Sequence, residues 1–224
     1  AYAAGVLVGW TARGDRPTFD VVTGISAGAL IAPFAFLGPK YDPTVQRLFT
    51  TLSTRDLFKY RPVLVHVVRD KSLASPAPLA GQIEAEVDDE FVCDLRAAHR
   101  AGRRLFIGTM NLNTRRLVVW DLGALACTRD DAKYLLRRLL LASASIPALV
   151  PPVPIDVTVN GEVVRELHAD GGAVAQTFVR FGEHAPRPDP TCPGGKWLDG
   201  ATLYAIAGGK LYPEILAGEL GLLT

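Results

Sequence analysis

Apolar runs separated by polar turns predict short strands and helices along the whole chain. The run from Phe19 to Val22 is short and apolar, as expected of a buried strand. The run from Ala27 to Leu37 is longer and almost entirely apolar, as expected of a core helix. Pro33 lies inside that helix and is predicted to kink or shorten it, because proline has no N–H group to donate.

A β-hairpin is the clearest prediction for the second half of the chain. Apolar and polar residues alternate over positions 155–159 up to Asn160-Gly161, a dipeptide typical of two-residue hairpin turns. The returning strand, Val163 to Leu167, leads into the sequence H-A-D-G-G at positions 168–172. The hairpin therefore delivers Asp170 at the end of a strand, where the two glycines that follow allow a tight turn.

Similar patterns predict the remaining elements, and strands and helices mix along the whole length. Further strands are expected at Leu105 to Thr109, Leu117 to Trp120 and Thr202 to Ala207. Helices are expected at 1–12, 44–51, 53–59, 95–101 and 130–143, the last with a core stripe of leucines. Residues 143–153 should form an extended, proline-rich connector and residues 181–200 a loop or flap. This mixture predicts an α/β fold in a single domain spanning residues 1–224.

Composition and charge narrow the possible classes of function. The chain has 224 residues, 49% of them hydrophobic, which is enough for one sizeable core without disulfide or metal staples. Its formal net charge of +1 argues against nucleic acid as the main partner. Cys93, Cys127 and Cys192 lie far apart without C-x-x-C spacing, so neither a disulfide framework nor a zinc site is indicated. No metal or cofactor is therefore expected.

The candidate chemistry centres on Gly24-Ile25-Ser26-Ala27-Gly28, which reads G-x-S-x-G. The motif follows a predicted strand and precedes a predicted helix, the context in which it holds a nucleophilic serine on a sharp turn. Gly24 and Gly28 are expected to leave room for Ser26 and to tolerate unusual backbone angles. The N–H groups and positive dipole end of the following helix would then face an oxyanion formed at Ser26.

A nucleophilic Ser26 needs a base, and the residues leave three arrangements open. His184 completes the order Ser26, Asp170, His184 of a Ser-Asp-His triad. His168 is a second candidate, because it lies two residues before Asp170 and shares its face of the strand. Asp170 itself is the third, since a strand end followed by Gly171-Gly172 can bring the carboxylate directly against Ser26.

Four blocks of the sequence resemble the motifs of the patatin-like phospholipases, in the order expected for that family. G-I-S-A-G at 24–28 and D-G-G at 170–172 resemble the family's G-x-S-x-G and D-G-G/A motifs. A-S-A-S-I-P at 142–147, with P-P-V at 151–153, resembles its A-S-x-S-x-P…P-P segment, and residues 1–7 resemble the helix after its glycine-rich oxyanion loop. The resemblance implies a three-layer α/β/α fold with a central mixed sheet flanked by helices.

The same resemblance implies a Ser–Asp dyad in place of a triad. Ser26 would be the nucleophile, Asp170 the base, and the N–H of Ala27 a donor to the oxyanion, with the glycines at 24, 28, 171 and 172 completing the motifs. The implied reaction is carboxylic ester hydrolysis of the phospholipase A or lysophospholipase type through an acyl-enzyme, without calcium or any cofactor. A catalytically silent lipid- or protein-binding domain on the same scaffold is the alternative from outside the enzymes.

The expected partner is a phospholipid or other lipid ester, with peripheral membrane contact. The arginine doublets at 103–104, 115–116 and 137–138 give weak support for such contact. The family's G-G-G-x-x-G loop ends where this chain begins, so further oxyanion donors are expected upstream of Ala1, and the C-terminal end is expected beyond Thr224. Whether the protein is cytoplasmic or membrane-associated depends on that upstream segment.

Overall fold

A computed structural model describes residues 2–51, 54–60, 72–175, 178 and 200–206. The helices of these residues are α1 (Tyr2–Arg13), α2 (Ala27–Leu37), α3 (Asp42–Thr50), α4 (Thr54–Leu57), α5 (Ala77–Glu86), α6 (Asp89–Arg100), α7 (Leu122–Thr128) and α8 (Ala132–Ser143). The strands are β1 (Val21–Ile25), β2 (Lys59–Tyr60), β3 (Ala74–Ser75), β4 (Arg104–Asn111), β5 (Arg116–Asp121), β6 (Val153–Val159) and β7 (Glu162–Asp170). Short 3₁₀ turns form at Pro39–Tyr41 and Gly171–Ala173.

A mixed sheet carries the fold, and β4 lies inside it with strands on both edges. β5 pairs antiparallel with residues 106–111 of β4 and so occupies one edge. On the other edge, β1 pairs parallel with residues 104–108 and β7 pairs antiparallel with residues 109–111. β1 and β7 therefore approach each other along one edge of β4, and both end where Gly108 meets Thr109. β6 extends the sheet beyond β7.

The apolar helix α2 has the bounds predicted for it and packs against β1 and β4. Pro33 lies inside α2 without ending it. Two arginines from other segments satisfy carbonyl groups at the carboxyl end of the helix. Arg16 donates to the carbonyls of residues 34 and 35, and Arg103 donates to the carbonyl of residue 36. The carbonyl of residue 34 also accepts the N–H of Gly38, so the arginines chiefly satisfy the carbonyls of residues 35 and 36.

α8 is the second apolar element of the core, and it packs against β4, β6 and β7. Its four leucines at positions 135, 136, 139 and 140 are buried, which confirms the predicted core stripe. The helix ends at Ser143, and the chain that follows lies close to the ends of β1 and β7. The predicted hairpin between β6 and β7 is also confirmed, with positive φ angles at both Asn160 and Gly161.

Several parts of the secondary structure differ from the sequence predictions. The helix expected at 95–101 begins earlier, at Asp89, and the helix expected at 53–59 ends at Leu57, with β2 beginning at Lys59. The expected strand at 202–207 is wrong, because the described residues 201–206 have no regular structure. Tyr204 instead packs its ring against those of Trp10 and Phe19, so the segment contributes side-chain packing and no sheet pairing. The connector at 143–153 is not extended throughout, since it contains a turn at 147–149. α7 was not predicted, although Asp121 caps it by accepting a hydrogen bond from the N–H of residue 124.

Some predictions concern residues outside the described part of the chain. The loop expected at 181–199, His184 and Cys192 all fall there. Among the described residues, no helix is both long enough and apolar enough to cross a membrane.

Candidate active site

Ser26 occupies the sharp turn between β1 and α2. Its backbone angles are φ 56° and ψ −128°, in a region that residues with a side chain rarely adopt. The unusual backbone angle expected at the flanking glycines therefore lies at the serine itself, because neither Gly24 nor Gly28 has a positive φ. A strained residue persists only where its surroundings hold it, so the contacts around Ser26 matter.

The two glycines of the motif play different parts. A Cβ atom on Gly24 would lie 2.5 Å from the carbonyl oxygen of Gly28 and 2.8 Å from the Cβ of Ala32. Glycine at position 24 is thus what allows β1 and α2 to approach each other so closely. Among the described residues outside the local backbone of α2, no atom lies within 4 Å of a Cβ atom placed on Gly28, so the room expected to be needed at this position is not used by them.

The structure brings together the two side chains that the motifs single out. The Ser26 hydroxyl donates a hydrogen bond to Oδ2 of Asp170, with 2.6 Å between the oxygens. The other carboxylate oxygen, Oδ1, accepts the N–H of Gly172 at 2.7 Å, which fixes the orientation of the group. Asp170 is only 6% exposed, so few water molecules compete for its oxygens. Hydrogen bonds from a hydroxyl to a buried carboxylate are among the strong ones in proteins.

Gly171 explains how the carboxyl end of β7 can lie so near the turn. A Cβ atom at this position would lie 2.9 Å from the carbonyl oxygen of Gly108 and 3.2 Å from a side-chain carbon of Ile25. Only glycine lets the chain after Asp170 turn against β4 and β1 at this distance. The D-G-G sequence is therefore a packing requirement of the junction between the strands.

Ser143 is a residue of the site to which the sequence analysis gave no separate role. Its hydroxyl accepts the N–H of Ser26 at 3.0 Å and donates to the carbonyl of Gly108 at 2.7 Å. Two residues later, the carbonyl of Ser145 accepts the N–H of Asp170 at 2.8 Å. The segment resembling A-S-x-S-x-P thus contacts the backbones of both Ser26 and Asp170.

His168, the described histidine that the sequence offered as a base, has partners other than Ser26. His168 is fully buried, and its ring nitrogens lie 2.9 Å from the hydroxyl of Thr109 and 3.0 Å from a carboxylate oxygen of Glu166. Burial lowers the pKa of His168, and the hydrogen bond with Glu166 opposes this only in part. The sequence placed His168 correctly on the face of Asp170, but both of its ring nitrogens are already engaged.

An apolar cavity of about 370 Å³ extends from Ser26 into the helical layer. Ser26 and Ala27 line it at one place, and the walls come from α2, α3, α5, α8 and the segments between them. Most lining side chains are aliphatic or aromatic, and Gln82 and Glu86 are the polar exceptions among the side chains beyond Ser26. Ile146 also lines the cavity and is 44% exposed, so the cavity reaches the surface near the dyad.

Two of the arginine doublets are used inside the protein. Arg103 and Arg104 donate to backbone carbonyls of their own chain, as do Arg137 and Arg138. Arg103 also stacks over the ring of Phe36, with 4.3 Å from its guanidinium carbon to the ring centre. Arginines that bond to the protein itself are less available to lipid head groups, so these two doublets give less support to membrane contact than the sequence suggested.

One known protein family matches most of the chain. The family described as Patatin-like phospholipase matches residues 1–180 of the chain. The match includes the turn at Ser26, the segment from 142 to 153 and the D-G-G sequence at 170–172. A comparison with curated proteins finds no match.

Proposed function

This chain belongs to the patatin-like phospholipase family, and on that premise we propose that it hydrolyses lipid esters with Ser26 as nucleophile and Asp170 as base. The observation that carries the proposal is the 2.6 Å hydrogen bond from the Ser26 hydroxyl to the Asp170 carboxylate. A base must lie within hydrogen-bond reach of the proton that it removes, and this pair meets that condition.

In the first half of the reaction, Asp170 accepts the hydroxyl proton while Oγ of Ser26 forms a bond to the ester carbonyl carbon. The carbonyl oxygen becomes an oxyanion, and the N–H of Ala27 at the amino end of α2 donates a hydrogen bond to it. The tetrahedral intermediate then breaks its bond to the alcohol oxygen, which takes the proton from Asp170. The alcohol leaves, and the acyl group stays on Ser26 as an ester.

In the second half, Asp170 accepts a proton from water, and the water oxygen attacks the acyl carbonyl carbon. The second tetrahedral intermediate collapses to a free fatty acid, and the proton on Asp170 returns to Oγ of Ser26. The hydrogen bond from the N–H of Gly172 keeps Oδ1 occupied, so Oδ2 faces the serine in both halves.

The apolar cavity supports an acyl chain as the part of the substrate that the protein binds. The cavity of about 370 Å³ is lined mostly by apolar side chains, so it suits the hydrocarbon part of an acyl chain. The exposed side chain of Ile146 lies where such a chain would enter from a lipid surface. Peripheral contact with that surface is part of the proposal.

The direct test compares Ser26→Ala and Asp170→Asn with the wild-type full-length protein. Hydrolysis of lysophospholipid and of p-nitrophenyl acyl esters should fall by about 10⁴-fold or more in Ser26→Ala. Asp170→Asn keeps the shape of the side chain but removes the base, so a loss of about 10²–10⁴-fold is expected. A fluorophosphonate probe should label the wild type at Ser26 and leave Ser26→Ala unlabelled.

Matched variants separate the alternatives. His168→Ala and His184→Ala should retain hydrolysis per folded molecule if Asp170 is the base, whereas a triad requires one of them. Asp156→Asn is the control for loss of a carboxylate. Asp156 lies on β6 and pairs with Arg165 of β7 on the exposed surface, so it has no contact with Ser26. Hydrolysis by Ser26→Ala at the wild-type rate would refute the proposal. A wild type that binds lipid but is never labelled would instead indicate a silent binding domain.

A further inference from the structure

Ser143 joins three elements at the point where the dyad is assembled. It is the last residue of α8, and its side chain is fully buried. Its hydroxyl donates to the carbonyl of Gly108 on β4, which orients the oxygen lone pairs toward the N–H of Ser26. A hydroxyl is suited to this place because it donates and accepts at the same time.

The N–H of Ser26 needs a partner from outside its own strand and helix. With φ at 56°, the backbone of Ser26 departs from both the sheet and the helix that flank it. A conformation of this kind is sparsely populated in free peptides and is kept only by surrounding contacts. The hydrogen bond to Ser143 is the contact that the structure provides for that N–H group.

The same turn also holds the other half of the dyad. The carbonyl of Ser145 accepts the N–H of Asp170, so residues 143–145 are bonded to the backbones of both reacting residues. A shift of this turn would change the separation of the two oxygens that now lie 2.6 Å apart.

We propose that Ser143 is a positioning residue, whose hydroxyl holds the backbone of Ser26 so that its Oγ faces Oδ2 of Asp170. The inference rests on the proposed hydrolase function and goes beyond it, since Ser143 itself touches neither substrate nor the reacting oxygens. Ser143 does not line the acyl cavity, so its effect is expected on the chemical step and not on substrate binding.

Ser145 supplies a matched control from the same turn. It is 1% exposed, and its hydroxyl donates to the carbonyl of Leu141, in the last turn of α8, at 2.8 Å. Ser145→Ala therefore removes a buried hydroxyl and its hydrogen bond without removing a side-chain contact to Ser26. The backbone carbonyl that accepts from Asp170 stays in place.

The experiment measures kcat and KM for a p-nitrophenyl acyl ester and the rate of fluorophosphonate labelling, each per folded molecule. Displacement of a reacting group by about 1 Å can cost about 10²-fold in rate, so kcat and the labelling rate should fall about 10- to 100-fold in Ser143→Ala. KM should stay near the wild-type value. Ser145→Ala should lose less kcat and less labelling rate than Ser143→Ala, because it leaves the hydrogen bond to the N–H of Ser26 in place. Ser143→Thr keeps the hydroxyl and should recover most of the lost rate.

The possible results are distinct from those for the function itself. Equal losses in Ser143→Ala and Ser145→Ala, following stability alone, would overturn the positioning role, as would a rise in KM with kcat unchanged. A wild type that the probe never labels would refute the hydrolase and this inference together. If Ser143→Ala does not fold, Ser143→Cys serves instead, because a thiol fills nearly the same space but is a weak donor and acceptor. It should then show the same loss of kcat.

Discussion

The two glycines that flank Ser26 in the motif should respond in opposite ways to the same substitution. Gly24→Ala places a methyl group 2.5 Å from the carbonyl oxygen of Gly28 and 2.7 Å from its carbonyl carbon. These are backbone atoms of α2, so they cannot move aside as a flexible side chain would. Gly28→Ala adds a methyl group that meets no atom within 4 Å in the described part of the chain, apart from the local backbone of α2.

The expected magnitudes follow from packing and helix propensity. Extra volume in a packed site costs about 1–3 kcal/mol of unfolding free energy. For a chain of this size each kcal/mol corresponds to about 2–4 °C, so Gly24→Ala should lower Tm by roughly 2–12 °C. Alanine is favoured over glycine within helices by up to about 1 kcal/mol, so Gly28→Ala should leave Tm unchanged or raise it by up to about 4 °C.

Thermal unfolding followed by circular dichroism measures both changes on purified variants. Hydrolysis per folded molecule should fall in Gly24→Ala, because the strand and helix that must separate are the two that hold Ser26. Equal melting temperatures for the two variants would refute the reasoning. A lower Tm for Gly28→Ala than for Gly24→Ala would also refute it, because the Cβ distances predict a clash only at Gly24.

Two further predictions concern the cavity and the buried histidine. If the apolar cavity binds the acyl chain as proposed, Ile83→Trp fills part of it. kcat/KM for long-chain esters should then fall by about fourfold for each methylene excluded, while butyrate esters are hydrolysed as before. A loss that is uniform across chain lengths would contradict that assignment. Burial lowers the pKa of His168 below its ordinary value of 6.5. As the pH falls below 6.5, the unfolded chain therefore protonates its histidine while the folded chain does not. The free energy of unfolding decreases as a result. His168→Gln should therefore flatten the dependence of Tm on pH between about pH 7 and pH 5, and an unchanged slope would refute it.

Local patterns predicted the elements that local sequence determines. The bounds of α2 follow from an uninterrupted apolar run, and the hairpin at Asn160-Gly161 follows from two residues that accept positive φ angles. The residues Ser26 and Asp170 were also singled out from their motifs, although 144 positions separate them in the chain. Both positions could be selected from sequence because strand ends and glycine-containing turns have local signatures.

The parts that were missed depend on contacts between distant segments. The hydroxyl of Ser143 has partners 117 and 35 positions away, and no local pattern distinguishes it from the neighbouring Ser145. The apolar residues around Tyr204 read as a strand, yet they pack against rings from α1 and from the loop before β1. The sequence analysis expects the unusual backbone angle at Gly24 or Gly28, because glycine adopts positive φ most easily. The structure has it at Ser26, where contacts from other segments hold the backbone.

The meeting of Ser26 and Asp170 depends on the register of β7 along β4. β1 ends opposite Gly108, and β7 ends with Asp170 opposite Thr109, so the two strands reach neighbouring positions on one edge. A slip of β7 by one residue would turn Asp170 to the other face of the sheet. A slip by two residues would keep the face but move the carboxylate by about 7 Å, beyond hydrogen-bond reach. The close contact of Gly171 with the Gly108 carbonyl resists both slips, because only glycine fits at that position. The D-G-G sequence therefore fixes the register and supplies the carboxylate with the same three residues.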